Sequence, residues 1–343
     1  MKVSEIGEFG LISLLQGMIS RSEDKTNPAR RNLIIGIGDD TAAWKTKNTI
    51  QLATTDSLIQ DTHFHLNITT WEELGWKAIA VNVSDIAAMG GIPEYALISL
   101  ALPGELETDC VESLYKGMTQ ITKQFGAAIV GGNIAAASKT MISVTILGSL
   151  ESSSALTRSA AVPGDQIAIT GYPGLSAAGL RMLKQHLKFD TETAQLLREA
   201  HLTPMPRIDE GQILLHRGVK AAIDISDGLL ADLKHVCKAS KVGARINANA
   251  VPIHPALKKN FKADYLKLAL SGGEDYELLF TASSQVISRL KKALPCPVTM
   301  IGEITQGETG QVTLIDAAGK VIPWQNAGWE HFKSQNECRN DRP

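Results

Sequence analysis

Apolar and polar positions along this chain repeat with two periods, and the switches between them mark out helices and strands. Ile6, Phe9, Leu11, Leu14, Leu15 and Met18 recur at helical spacing over residues 4–20, a pattern weakened by Gly7 and Gly10. Residues 21–31 are polar, basic and proline-containing and predict a mobile loop. Runs at 33–38 and 50–55 predict strands that end in Asp39-Asp40 and Asp56. Residues 71–89 predict a helix stopped by Gly90-Gly91 and Pro93. A buried strand at 95–102, a helix at 109–125, a short strand at 127–130 delivering Gly131-Gly132-Asn133, and a strand at 141–150 complete the first half.

The pattern restarts after Ser152-Ser153-Ser154. Strands are predicted at 166–170, 221–225 and 276–282, and helices at 176–186, 229–240 and 284–293. Strands and helices alternate in both halves, which predicts α/β or α+β domains. At 343 residues the chain is too long for one ordinary core, so two domains are expected, 1–152 and 153–343, with a disordered polar tail from about residue 333.

Composition narrows the function classes. A net charge of -2 with 20% charged and 44% hydrophobic residues gives no sign of a nucleic-acid-binding surface or a disordered acidic tail and fits a soluble globular protein. Cys110, Cys237, Cys296 and Cys338 lie too far apart for a zinc or redox motif and predict free thiols. Acids interrupt the N-terminus where a signal peptide needs an apolar core, and no stretch reaches membrane-spanning length, so a cytoplasmic protein is expected.

The chemistry lies in acid-bearing segments spread from end to end: Gly38-Asp39-Asp40, Thr54-Thr55-Asp56, Asn82-Val83-Ser84-Asp85, Asp224-Ile225-Ser226-Asp227-Gly228 and Gly272-Gly273-Glu274-Asp275. Carboxylates beside apolar runs are costly unless cations or hydrogen bonds compensate them. Few lysines or arginines stand near them in sequence, and oxygen-rich sites of that kind suit magnesium, which usually arrives with phosphates. Taken singly, Asp39 and Asp56 read as turn acids and Asp40 as a turn support, whereas Asp85, with Val81 and Met89 at i-4 and i+4 and no basic partner on the helix, reads as a metal ligand ahead of a loop cap. Together with the hydroxyls of Thr54 and Thr55, the acids Asp39, Asp56 and Asp85 form a candidate cation cluster, with Asp40 left to the turn. Asp224 and Asp227, three residues apart at a strand-to-helix passage, exceed what one helix cap needs, and Ser226 or Asp227 suits the cap itself. The glycine pairs at 131–132 and 272–273 read first as turns, and His63, alternating with Phe64, as a strand residue rather than a zinc ligand. No P-loop or protein-kinase signature is present. The residues alone reach a magnesium-dependent enzyme acting on phosphorylated ligands.

The ordered set Gly7-Glu8-Phe9, Gly36-Ile37-Gly38-Asp39-Asp40, Thr55-Asp56, His63-Phe64, 82–90, 224–229 and 271–278 resembles the thiamine-monophosphate kinase family over nearly the whole chain. Leu156-Thr157-Arg158-Ser159, residues 201–207 and Gly328-Trp329-Glu330-His331-Phe332 extend the match. The resemblance implies a two-domain synthetase-like fold shared with aminoimidazole ribonucleotide and selenophosphate synthetases. Its N-terminal domain would pair across a homodimer into a β-barrel and be followed by an α/β domain. It also implies ATP as co-substrate, several Mg²⁺, and transfer of the γ-phosphoryl group to thiamine monophosphate to give thiamine diphosphate. Carried over by position, Asp39, Thr54, Thr55, Asp56, Asp85, Asp224 and Asp227 would bind metal. Tyr115, Gly132, Asn133, Arg158 and Ser226 would contact ATP. Asn133 stands where some relatives have aspartate, so it is also counted with the metal. His63, Glu274 and Trp329 would contact the substrate. No general base is expected, because a phosphate oxygen is already ionised near neutral pH.

Two departures from the family pattern stand out. Ala135, Ala136 and Ala137 occupy a stretch where a basic residue is common, and Leu175 stands where aspartate is common. Two alternatives stay open at this stage. One is a superfamily enzyme that activates an amide or selenide, against which the match through Trp329 and the lack of an N-terminal reactive Cys segment weigh. The other is a catalytically weakened nucleotide- or thiamine-phosphate-binding protein, favoured only by the three alanines.

Overall fold

The computed structural model describes residues 10, 12–13, 32–36, 38–46, 49–152, 154–324 and 328–329. The predicted N-terminal helix falls almost wholly outside those residues, and the loop at 21–31 and the tail from 333 wholly so. The first sheet holds β1 (Leu33–Ile35), β2 (Ala42–Lys45), β3 (Ile50–Ile59), β4 (Ile92–Leu102), β5 (Ala128–Ala136) and β6 (Met141–Leu150) in the order β1-β2-β3-β6-β4-β5. Helices α1 (Trp71–Ala88) and α2 (Thr108–Gln124) pack with its buried side chains in one apolar core.

The second sheet, ordered β12-β9-β11-β7-β10-β8, holds β7 (Gln166–Thr170), β8 (Ala221–Asp224), β9 (Gly243–Asn247), β10 (Leu278–Ala282), β11 (Val298–Thr305) and β12 (Val312–Ile315). Between these strands run α3 (Leu175–Lys184), α4 (Thr191–Leu202), α5 (Ile208–His216), α6 (Leu229–Ser240), α7 (Pro255–Asn260), α8 (Tyr265–Ser271) and α9 (Ser284–Ala293). Each sheet is mixed, with one parallel pair, β4 with β5 and β9 with β12, among antiparallel neighbours. Both halves are therefore α/β layers with their own cores.

Helix α1 is buried on nearly every side, and its Ala88 enters a cluster with Ala222, Leu278 and Phe280 of the second sheet. The same helix thus reaches both halves of the molecule. Thr70 and Glu73 close its N-terminus with a reciprocal capping box, and Arg198 of α4 grips Glu73 through two bonds of 2.7 Å. Its crossing with α2 depends on two glycines: a Cβ on Gly75 would lie 1.8 Å from Leu114 O, and one on Gly117 1.8 Å from Glu72 O. Both obstacles are backbone, so the helices must part to admit a side chain. Gly75→Ala is expected to cost about 1–3 kcal/mol of stability in chemical denaturation. An unchanged denaturation midpoint would remove the close crossing as a requirement of the fold.

Several elements differ from their sequence reading for tertiary reasons. Strand β3 runs on to Ile59, so Asp56 lies inside the strand opposite Val144, because ten consecutive residues pair with β6. β5 likewise continues through Gly131-Gly132-Asn133, paired with Leu97, Ile98 and Ser99 of β4. A Cβ at Gly132 would meet Ile98 O at 1.7 Å, which explains the glycine within the strand. β10 starts at Leu278 rather than two residues earlier, since Glu274 and Tyr276 adopt φ of 63° and 51°, which no strand accommodates. β2, α4, α5, β9, β11 and β12 are short, polar or glycine-interrupted and carry little periodic signal.

Candidate active site

Three elements that are far apart in sequence bring acids to one point. Asp40 lies in the turn before β2, Asp85 in the last turns of α1, and Asp224 ends β8; each offers a carboxylate oxygen within 4.8 Å of the others'. Thr54 on β3 donates its hydroxyl to Asp85 Oδ2 at 2.5 Å, and Ser84 donates to Asp224 Oδ2 at 2.6 Å. Asp40 Oδ2 is buried with no hydrogen-bond partner. A buried carboxylate oxygen without a donor is expensive, and this one faces two further carboxylates. The donor set is all oxygen, which fits a hard divalent cation.

Asp39 stands beside this centre. Its carboxylate accepts the Arg158 backbone N–H at 3.2 and 3.3 Å, while the Arg158 guanidinium ion-pairs with Asp40. The sequence neighbourhood of these acids is poor in bases, but the fold imports a cation from 119 residues away. Sequence reasoning assigned Asp39 to the metal and left Asp40 as a turn support; the tertiary structure gathers Asp40 with Asp85 and Asp224 instead.

Burial and the neighbouring Asp40 push the Asp39 carboxyl up to about 7, and the same two causes push Asp224 up to about 8. Asp85 is also raised, by burial and then by Asp56 and Asp224. Burial works against the charge of Arg158, but Asp40, Asp224 and Asp39 outweigh it and hold its pKa above the ordinary range. Relative to the ordinary value of 3.8, Asp39 and Asp224 bind protons more tightly in the folded state. Their contribution to metal-free stability is therefore full below the ordinary value of 3.8 and is lost progressively as pH rises from there to about 7 for Asp39 and about 8 for Asp224. In chelator, the melting temperature should drop between roughly pH 4 and roughly pH 8, and added magnesium should raise it most at the alkaline end. A chelated protein whose melting temperature ignores pH over that range would contradict this electrostatic account.

Asp56 shares its strand face with Thr54, and its charge raises the pKa of Asp85. Thr55 points the other way. Its hydroxyl donates to Val144 O at 3.0 Å and accepts from Thr145 at 3.0 Å, as strand alternation requires. Register places Gly132 in the row of Asp56, Val144 and Ile98, and Asn133 one row on, beside Ser99, exposed on the edge strand. Neither Thr55 nor Asn133 brings its side chain to the acidic centre. Tyr115 packs from α2 against the first core.

The loop from Asp224 to Gly228 is built around a residue that the sequence reading missed. Asp232, in the first turn of α6, accepts the backbone N–H groups of Ser226, Asp227 and Gly228 at 3.1, 3.1 and 3.0 Å. The helix cap is Gly228, with φ of 125°, and not Ser226 or Asp227 as expected. These amides are satisfied from inside, so they are not free phosphate donors. An acid four residues after an Asp-Gly pair was the available signal. The carbonyls of the same loop hold two predicted substrate residues: Ser226 O accepts from Glu274 N at 2.7 Å, and Asp227 O from Trp329 N at 3.0 Å. Trp329 is 48% exposed. His63 lies in the turn after β3 and accepts the Ile59 N–H through Nδ1 at 3.1 Å, so it is a turn residue and not part of a strand.

Two family models, the N-terminal and C-terminal domains of AIR synthase related proteins, match residues 38–150 and 162–315. The thiamine-monophosphate kinase of Buchnera aphidicola subsp. Schizaphis graminum is 42% identical over 311 residues, covering 88% of this chain and 94% of its own. That of Escherichia coli K12 is 38% identical over 332 residues, covering 95% and 98%. Among solved structures, AaThiL complexed with AMPPCP and TMP superposes with a TM-score of 0.83 at 35% identity, covering 96% of this chain and 99% of that one.

Proposed function

Because the chain belongs to the thiamine-monophosphate kinase family of AIR synthase related proteins, we propose that its acidic centre, assembled from Asp40, Asp85 and Asp224, serves direct in-line transfer of the ATP γ-phosphoryl group to thiamine monophosphate. The observation that carries this reading is the convergence of those three buried or half-buried acids, one with an unbonded oxygen. A carboxylate cluster of this kind repels phosphates unless divalent cations intervene. Asp40, Asp85 and Asp224, flanked by Asp39, Thr54, Asp56 and Asp227, would hold several Mg²⁺, and Thr55 and Asn133 join the set only through backbone groups or a local rearrangement. Bound magnesium would screen the charge of the two phosphate-bearing reactants, roughly six negative charges in all.

The chain's own residues then bind and align. Arg158, already beside the acids through its ion pair with Asp40, would take a phosphate oxygen of the nucleotide. Tyr115, Gly132, Asn133 and Ser226 complete the nucleotide side. His63, Glu274 and Trp329 receive the thiamine portion, an aromatic ring and a carboxylate suiting a thiazolium and an aminopyrimidine. No side chain needs to take a proton, since the attacking oxygen is already ionised, so positioning and charge neutralisation supply the rate.

We place the domain boundary at residue 152 and the reaction in the cytoplasm. The latter is supported by unpaired Cys110, Cys237 and Cys296 and by the absence, among described residues, of a helix able to cross a membrane. We also propose a homodimer. The face of the first sheet away from α1 exposes Tyr95 and Leu97, at 48% and 41%, in the row arrangement a second sheet would cover to form a barrel. Light scattering should return twice the chain mass; a monomer at micromolar concentration would remove the barrel. For the activity itself, purified protein with Mg-ATP is assayed chromatographically with thiamine monophosphate and, in parallel, free thiamine. Diphosphate formed from the monophosphate only is expected, whereas ATP binding without product would return the binding-protein reading.

A further inference from the structure

Helix α1 carries a buried lysine that the phosphoryl-transfer site does not use. Lys77 is 3% exposed, and its Nζ lies 2.7 Å from Glu274 Oε1. A buried ammonium of this kind is tolerated only with a matched partner. Glu274 sits in the loop between α8 and β10 at φ 63°, its N–H bonded to Ser226 O at 2.7 Å. The next residue anchors the loop further, since Asp275 accepts the Gly174 and Ser176 amides at 2.7 and 3.1 Å. These bonds fix the backbone but leave the Glu274 carboxylate to be oriented by side chains.

Two groups do so from beneath. Lys77 takes Oε1, and His201 Nδ1 lies 3.5 Å from Oε2 while also contacting Ser176 Oγ at 3.1 Å. Burial pushes His201 down to about 3, so the ring is neutral and adds no positive charge. Burial also raises the Glu274 carboxyl, yet the Lys77 ammonium holds it below its ordinary range. The glutamate side chain is 31% exposed, so the ammonium is sealed under the carboxylate and the carboxylate remains open to solvent.

We propose that Lys77 is a positioning residue, which pins one oxygen of Glu274 so that the exposed edge of the carboxylate meets the amino-bearing organic end of thiamine monophosphate. The pair is neutral overall, so Glu274 acts there as an oriented hydrogen-bond acceptor more than as a free anion. This rests on the reading of Glu274 as a substrate contact.

The test uses full-length protein with Mg-ATP and the variants Glu274→Gln, Lys77→Met, Lys77→Arg and the double variant. Lys77→Met is expected to raise KM for thiamine monophosphate at least about tenfold while KM for ATP moves less than about twofold, with partial recovery in Lys77→Arg. The double variant should match Glu274→Gln alone. If Glu274→Gln leaves KM for the monophosphate unchanged, the substrate role of Glu274 fails and the proposal with it. If Glu274→Gln raises KM but the double variant adds a further tenfold, Glu274 keeps its role and Lys77 acts independently, which overturns the proposal alone. Should Lys77→Met not fold, Glu274→Gln against the double variant still decides, since neither buried charge remains there.

Discussion

Asp85→Asn is expected to reduce turnover at least about a hundredfold while leaving the fold intact. Asp85 is the member of the acidic centre presented by the most rigid element, a helix buried on nearly every side, and it already receives the Thr54 hydroxyl at 2.5 Å. The amide keeps that hydrogen bond but loses half of the ligand capacity and all of the charge. In metal-free protein the same change should hold or raise the melting temperature, because burial, Asp56 and Asp224 all oppose ionisation of Asp85. Opposite signs in stability and turnover separate a ligand from a structural acid. Asp56→Asn should follow the same pattern. Near-normal turnover in either variant would take that residue out of the metal set.

Arg158→Met is expected to have the second large effect, and on stability first. Its guanidinium pairs with Asp40 and faces Asp39 and Asp224, so its removal leaves buried acids without their cation. Breaking such a pair from one side costs about 3 kcal/mol. Because Asp39 and Asp224 carry raised pKa values of about 7 and about 8, the deficit should shrink as pH falls and they take up protons. Magnesium should offset part of it at alkaline pH. If Arg158 also takes a phosphate, KM for ATP should rise roughly tenfold to hundredfold, the value of a charge-assisted hydrogen bond. Denaturation in chelator at two pH values, followed by steady-state kinetics, reads all of these. A variant as stable as the parent in chelator would mean that Asp40 does not depend on Arg158.

The candidate site was legible to different depths. Asp85 stood out because it interrupts an apolar run with Val81 and Met89 at helical spacing, and Asp224 because a second acid, Asp227, follows three residues on; the fold brings Asp85 and Asp224 into the centre. Asp39 and Asp40 are adjacent and chemically identical, so the sequence offered little ground for taking Asp39 over Asp40; the fold gathers Asp40 with Asp85 and Asp224. Thr54 and Thr55 pose the same problem in a strand, where alternation turns one hydroxyl to Asp85 and the other to Val144 O. Lys77 was invisible, since it finds its partner only across the tertiary structure, whereas Asp232 binds amides only four to six residues away and was a local signal overlooked.

The sequence by itself determined the local elements with strong periodicity, such as Met141–Leu150 and Leu229–Ser240, and the family through its ordered acidic motifs. Those features depend on short-range spacing and side-chain chemistry, which a linear chain carries in full. Only the tertiary structure decided which acids meet, that Arg158 pairs with Asp40 among them, and that β3 and β5 run on through their polar residues. Pairing of distant strands and burial of distant charges are set by the packing of α1 between two sheets, and no local pattern encodes that packing.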